Sequence, residues 1–441
     1  MDPILLGGLA VVALLVLLFA GVYVAVALAC VGIAGLLIIA GFQPTMSTIA
    51  GLGFHFGSQY GFIVFPLFVA MGLLAAEGGI SKDLYDGLTK WVGMAKGGLG
   101  LATIGGCTIF GTLTGSSIVT AVVFAKVGVP EMRRHGYDPR ISYGLVCSAG
   151  AIGLLIPPNL LAVVYALLTE QSLGQLLMAG IGPGIVLAFC LGLGLVVLLY
   201  LRPSLGPPVS EIRTTWRDRF IAIPKLWPAF VVGGVVIGGV YAGLFTVIES
   251  AGIGTFMLLF VYFLLKGING TSLKAVARSL RESVALSAMV LIILVTAQIF
   301  GRLLVLSKLG DHLVGYVTAS QFSPMQFVLI AVVLYLILGM LIDSISILAI
   351  TVPLFYPIVL QLKIDPVWFA TVMILATQLG IVTPPFAMAV FAVKAVADPD
   401  VTLEGIFRGA MPFLIFMAVA LIIVIAIPAI STWIPYHMWQ P

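Results

Sequence analysis

The sequence predicts an all-α polytopic membrane protein, built as an inverted-topology repeat with two re-entrant hairpins and two broken helices. Three observations carry this reading. The chain of 441 residues is 61% hydrophobic and 9% charged, with a mean hydropathy of +1.22, where a soluble domain carries about 25% charged residues. Its apolar runs are long and do not alternate, which favours helices over a barrel. A pattern of Ser, Pro, Asp and Gly also occurs twice, 227 residues apart. Ser117, Pro130, Asp138, Pro139, Gly153, Pro157 and Pro158 return as Ser344, Pro357, Asp365, Pro366, Gly380, Pro384 and Pro385.

The length allows about ten spans of ~20 residues. Ile4–Gly41 holds two helices, broken near Ala20-Gly21. The start is not read as a signal peptide, since it has no basic region and its apolar run is too long. Phe62–Ala76 is a third span, and Ser81–Lys96 is amphipathic, as for a helix lying at the interface. Leu99–Ala125 is interrupted by Gly111–Ser117, a run of small polar residues that suits a hairpin tip. Ile141–Leu168 is broken at Gly150–Asn159, and Gly174–Leu201 is a clean span. Residues 1–201 form the first repeat on this reading.

Residues 202–225 are the longest polar stretch and read as a cytoplasmic linker. Residues 226–441 form the second repeat. Leu226–Leu265 fits two helices with Glu249 near their turn. Lys266–Arg281 reads as interfacial, Ser283–Leu306 as a span and Leu309–Thr318 as interfacial. Phe327–Leu360 holds the second hairpin, with its tip at Gly339–Ser346. Trp368–Val396 is broken near 380–386, and Gly409–Ile430 is the last span.

Each repeat then has five crossings plus one hairpin. Five is odd, so the second repeat is inverted relative to the first. Tracing this path puts seventeen of the 21 Lys and Arg residues on one side. The positive-inside rule makes that side cytoplasmic and places both termini outside. The net charge of +4 is spread over loops and implies no nucleic-acid partner. Cys30, Cys107, Cys147 and Cys190 stand singly in apolar stretches and read as buried, unpaired thiols.

Asp138-Pro139 and Asp365-Pro366 have the chemistry of helix starts, with Asp at the N-cap and Pro at the first helical position. The Gly-x-x-x-Pro-Pro elements differ. A mid-span proline frees a carbonyl that needs a partner in the bilayer. A plain kink is one reading; carbonyls and hydroxyls that coordinate sodium are the other. Thr112, Thr114, Ser116 and Ser117 at the first tip, with Ser344 and Ser346 at the second, offer short hydroxyls for a hard cation. Asp343 is an acid in an apolar run with no basic neighbour in sequence, the default sign of a functional group; a tip wet enough to solvate it is the alternative. Asn159 and Gln378 are candidates for polar substrate contacts. Glu77 and Glu249 lie near span ends and read as solvated, and the four histidines have no ligand spacing.

These motifs, TGSS, VPEM…GYDP and IGLLIPPN with the second copy DS…DPVW…GIVTPP, resemble the large membrane subunit (DctM-type) of tripartite ATP-independent periplasmic (TRAP) transporters. The resemblance covers nearly the whole chain. It implies an elevator-type, sodium-coupled secondary importer in the inner membrane with no organic cofactor. It implies two Na+ sites, one at each tip and its facing break. Carried over, they are Thr114, Ser116 and Ser117 with Gly150, Gly153, Ile156, Pro157 and Pro158, and Gly339, Asp343 and Ser344 with Gly380, Val382, Thr383, Pro384 and Pro385. A small organic anion, expected to be a carboxylate, would lie between them, near Ser116, Asn159, Asp343, Ser346 and Gln378. Two partners are implied besides the lipid bilayer: a small four-helix membrane subunit and a soluble periplasmic binding protein.

The repeats differ where Ser116 stands opposite Asp343 and Asn159 opposite Phe386, so the expected site is asymmetric. The competing readings are a stand-alone dicarboxylate transporter of the same superfamily and proton coupling through Asp343. An intramembrane enzyme is disfavoured, because the sequence has no HExxH and no Ser/His or Ser/Lys constellation at helical spacing.

Overall fold

The computed structural model describes residues 2–206, 215–320, 322–385 and 387–438, without the side chains of residues 53, 55–57 and 318. Arg213 of the linker and Phe386 of the second break lie outside the described residues, which are helical throughout and contain no strand.

The chain opens with α1 (Pro3–Phe19), α2 (Val24–Ala40) and α3 (Phe42–Ser58). A 3₁₀ turn leads into α4 (Val64–Gly78), and α5 (Ile80–Val92) follows. A helical hairpin comes next, α6 (Gly98–Thr114) and α7 (Ser117–Arg134). Two helices separated by an irregular break follow it, α8 (Pro139–Gly150) and α9 (Leu160–Thr169). The pair α10 (Leu173–Ala179) and α11 (Ile181–Leu201) ends the first half. In the second half come α12 (Trp216–Tyr241), α13 (Val247–Lys266), α14 (Gly270–Leu306) and α15 (Leu309–Ala319). The second hairpin is α16 (Pro324–Gly339) with α17 (Ser344–Gln361), and the second broken pair is α18 (Pro366–Gly380) with α19 (Met388–Lys394). Then come α20 (Leu403–Ala426) and α21 (Ala429–His437). The bounds of α7 and α17 differ by the 227 residues of the sequence repeat.

Seven stretches among the described residues are long and apolar enough to cross a membrane, and α1 and α2, at 17 residues each, sit at the short end of the spanning range. The chain is therefore a multi-pass membrane protein.

Local chemistry explains the helix starts. Asp138 accepts a bond from Arg140 N at 2.7 Å, and Asp365 accepts from Val367 N and Trp368 N at 2.9 and 3.0 Å, each with proline next. Glu249 is not free: it closes a capping box with Thr246 at the head of α13.

Four expectations change. The stretch 42–58 forms a helix that the reading left unassigned. The linker is shorter than 202–225, because a capping box of Thr215 and Asp218 starts α12 at Trp216. Lys266–Arg281 and Ser283–Leu306 are not separate elements. Between Gly270 and Gly301 there is no Gly or Pro, so α14 runs unbroken for 37 residues. Cys30 is exposed while the other three cysteines are buried. Glu77 is exposed, as expected, and also pairs with Arg278 across α4 and α14.

Two cores organise the packing. The larger joins α4–α11 to both hairpins and to α18–α20; the smaller joins α1, α2 and α14, and meets the second hairpin through Ala349 and Ile350. Small residues allow close helix crossings in place of a hydrophobic drive. A methyl group added at Gly32 of α2 would lie 3.0 Å from Phe300 N on α14. Outside the apolar body, Arg133 at the end of α7 binds both Asp398 and Asp400, and Tyr143 of α8 donates to Asp398 at 3.0 Å. The Arg133 guanidinium holds the Asp400 carboxyl below the usual carboxylate range.

The same close contact recurs in each repeat. A methyl added at Gly111 would lie 2.6 Å from Gly153 Cα, and one at Gly380 would lie 2.7 Å from Gly339 Cα. The neighbours are backbone, so they cannot rotate away. Gly380→Ala is expected to destabilise the protein by about 1–3 kcal/mol, as overpacking does. Gly238→Ala, at a helical position with open space around it, should leave the melting temperature unchanged. Melting curves of the two variants check this.

The Arg133 pairing gives a pH expectation. Asp400 is depressed, so its contribution is present above the ordinary carboxylate pKa and is lost as pH falls through its lower native value. The melting-temperature gap between wild type and Arg133→Gln should shrink as pH is lowered from 6 toward 3.

Candidate functional site

Each hairpin tip is a short turn whose second arm is capped by the residue just before it. At the first tip Thr114 ends α6, Gly115 turns the chain at φ +56°, and Ser116 caps α7 by accepting from Val119 N at 3.4 Å. Only glycine fits at 115: its φ is left-handed, and an added methyl would lie 2.1 Å from Pro158 O. Thr114 and Thr120 hydroxyls meet at 2.9 Å, and Ser117 is buried.

At the second tip Asp343 caps α17. Its Oδ1 accepts from Ile345 N and Ser346 N at 3.1 Å each, and Ser346 Oγ donates to Oδ2. The isolated acid expected from the sequence therefore has three donors. Ser116 and Asp343, in register 227 residues apart, do the same local job with different charge. Asp343 has no ion-pair partner among the described residues.

The breaks face the tips. The first runs from Gly150 through a 3₁₀ turn containing Gly153, then Ile156 and a cis Pro157-Pro158 bond, to Asn159. All of it is buried. Methyl groups added at Gly150 and Gly153 would lie 2.8 Å from Ser117 O and 3.2 Å from Ser116 O, so carbonyls of the tip lie against the break. Asn159 caps α9: its Oδ1 accepts from Leu161 N and Ala162 N at 2.9 and 3.1 Å, and its Nδ2 donates to Leu155 O at 3.4 Å. The second break runs from Gly380 through Val382 and Thr383 to a second cis bond, Pro384-Pro385. Val382 is buried, Thr383 and Pro384 are half-buried, and Pro385 is exposed.

Two cavities meet at Asp343. One of about 290 Å³ lies between the tips, lined by Thr114, Ser116, Asp343 and Ile345, with Phe65 and Val69 of α4 and Met289 of α14 opposite. The other, about 600 Å³, lies beside Asp343 and Ser346, under the α1–α2 turn at Gly21–Val24 and against α14. Among the described residues Asp343 is the single carboxylate in either lining, and no Lys or Arg lines them.

The structure thus brings Thr114, Ser116, Asp343 and Ser346 to shared space. Ser117 and Ser344 start the two second arms. Asn159 lies outside both cavity linings, with its amide engaged in capping. Gln378, fully buried on α18, also lies outside them, and neither of its amide atoms has a partner among the described residues. Sequence reasoning missed the α4 and α14 walls, because they are apolar and carry no motif.

The model of the tripartite ATP-independent periplasmic transporter DctM component matches residues 11–430. The chain belongs to this family. It is a TRAP transporter large permease, a transport protein rather than an enzyme. It is 32% identical over 409 residues to the C4-dicarboxylate TRAP transporter large permease protein DctM of Pseudomonas aeruginosa, covering 92% of this chain and 93% of that one. It is 29% identical over 416 residues to the isethionate TRAP transporter permease protein DctMQ of Oleidesulfovibrio alaskensis, covering 94% of this chain and 64% of that protein. The fold matches the crystal structure of the Alcanivorax borkumensis YdaH transporter, with a TM-score of 0.63, 16% identity and 99% of each chain covered.

If Asp343 acts locally as a cap, its substitutions separate stability from transport. Asp343→Ala should lower stability by about 0.5–2 kcal/mol, the usual loss for an N-cap. Asp343→Ser, which installs the residue of the other tip, should restore most of it. Chemical denaturation of the two variants checks the order.

Proposed function

We propose that this TRAP permease imports a small organic anion, a carboxylate in the first instance, by sodium-coupled elevator movement. The observation that carries the proposal is the meeting of both hairpin tips around two cavities that join at Asp343, with each tip backed by its own break. Each hairpin enters and leaves the bilayer on one side. The two Na+ sites lie where the tip carbonyls and hydroxyls face the Gly-x-x-x-Pro-Pro breaks, Thr114–Ser117 against Gly150–Pro158 and Gly339–Ser344 against Gly380–Pro385. The residue types suit a hard cation: carbonyl oxygens of Ser116, Ser117 and Pro158 lie at the first interface, beside the hydroxyls of Thr114 and Ser117. Substrate lies between them, beside Ser116, Asp343 and Ser346. Sodium binds and orders the tips first, shifting the population toward the substrate-competent state.

With no cation among the described side chains lining the cavities, an anion depends on bound sodium and on the N-termini of α7 and α17 for its charge balance. The anionic cargoes in the names of two relatives support this class of substrate. The longer DctMQ relative supports a separate small membrane subunit for this chain, and the tripartite family supports a periplasmic binding protein that delivers substrate. Both termini lie on the periplasmic side by the positive-inside count. The α1–α2 turn is then cytoplasmic, so the larger cavity beside the second tip faces inward.

The melting temperature of the purified chain is compared in sodium, potassium and choline at one ionic strength. A saturable sodium-specific rise is expected, about 2.7 kcal/mol of stabilisation at a hundredfold excess over Kd, and Ser117→Ala should weaken it. The same melting temperature in all three salts, together with sodium-independent uptake in proteoliposomes containing both partners, would sink the coupling. Asp343, the one carboxylate among the described residues lining the cavities, favours a proton-coupled second reading; uptake driven by a pH gradient and lost in Asp343→Asn would select it.

A further inference from the structure

The turn between α5 and α6, which lies beside the end of α11 and the start of α12, carries a cluster that the transport chemistry does not use. Arg219 places its guanidinium 4.6 Å from the Trp216 ring centroid, and its Nη2 lies 3.4 Å from Met94 Sδ. Its Nε is buried without a partner among the described residues. Lys96 Nζ sits 3.9 Å from the Tyr200 ring centroid, and Trp91 meets Phe220 edge to face at 6.3 Å. Lys90, Arg202 and Arg217 belong to the same end of these helices. None of these five cations has an ion-pair partner among the described residues. The nearest acid on α12, Asp218, accepts from Thr215 N at 2.9 Å and from its hydroxyl at 2.6 Å, and these bonds, with the weaker pull of Lys90 and Arg217, hold its carboxyl below the usual range. On α5, Asp83 and Asp86 stand one to two turns before Lys90, and the Asp86 carboxyl is pushed up by burial against the pull of Lys82 and Lys225, which are other cations than the five.

Unpaired cations beside exposed Trp, Tyr and Phe rings are the chemistry of the membrane–water boundary. Aromatic rings sit at headgroup level, and basic clusters next to spans attract anionic lipid. A soluble anion would need no such rings: Trp216, Phe220 and Tyr200 are 67%, 60% and 64% exposed, an expense in water but a fit to acyl chains. We propose that this cluster is a docking site for an anionic phospholipid, its phosphate held by Arg217, Arg219 and Lys96 and its chains lying along Trp216 and Phe220. Because α5 packs against α12 and against both arms of the first hairpin, the lipid would brace the fixed side of that hairpin. The inference rests on the membrane location of the chain and not on sodium coupling or substrate.

The full chain in neutral detergent micelles is titrated with phosphatidylglycerol or phosphatidylcholine while its melting temperature is followed. Phosphatidylglycerol should give a saturable rise and phosphatidylcholine none. The double variant Arg217→Gln/Arg219→Gln should move the midpoint of that rise roughly thirtyfold upward, the loss expected for two interfacial cations. The charge-matched pair Lys274→Gln/Arg281→Gln should leave it in place. Equal responses of the two double variants would overturn the proposal. So would equal responses of wild type to both lipids, which needs no variant to fold, or a rise reproduced by soluble glycerol phosphate. Loss of the response when the small membrane subunit is added would likewise overturn it, placing that protein on the patch.

Discussion

The structure depends on one constraint: inside a bilayer every backbone N–H and C=O must find a partner within the protein. A continuous helix meets it automatically. The breaks at Gly150–Asn159 and Gly380–Pro385 do not, and neither do the turns at Gly115–Ser116 and Met340–Asp343. The chain resolves this by pressing each tip against a break. Gly111 lies on Gly153, Gly339 lies on Gly380, and Gly115 lies under Pro158 O. Side chains complete the arrangement, with Ser116 and Asp343 capping the second arms and Asn159 capping α9. Polar backbone is thereby concentrated where the tips meet the breaks.

The two repeats solve the same problem with different chemistry. The first break is wholly buried, and its cap is an asparagine with its amide engaged. The second is partly exposed at Thr383–Pro385, and its hairpin tip carries a carboxylate rather than a hydroxyl. Both cavities touch the second tip, whereas only the smaller touches the first. The second tip is therefore the more open one, and Asp343 lies where the two cavities join. Burial of an acid without solvent or partner would be costly; three hydrogen bonds and an adjoining cavity make Asp343 tolerable there.

Much of this was legible in the sequence because proline, glycine and capping residues act locally. Asp138-Pro139 and Asp365-Pro366 start helices for reasons contained within four residues, and the interruptions at 111–117 and 339–346 mark turns by composition alone. Helix continuity was less legible. The charged residues Lys274, Arg278 and Arg281 suggested an interfacial segment apart from the following span, yet a helix with no breaker continues through polar sequence, and α14 does so. The same limit applied at Trp216, where Thr215 and Asp218 start a helix inside a stretch that reads as linker.

By itself the sequence determined the class, most of the helical elements, the 227-residue recurrence and the residues at tips and breaks, since each follows from composition or from spacing along the chain. Only the tertiary structure decided which tip faces which break, that Asn159 is sealed away while Asp343 opens to two cavities, and that Phe65, Val69 and Met289 complete the wall. It also left Gln378 buried with both amide atoms unpaired among the described residues. The physical reason is that burial and cavity walls arise from helices far apart in sequence, and an apolar residue facing a cavity has the same local pattern as one facing lipid or another helix.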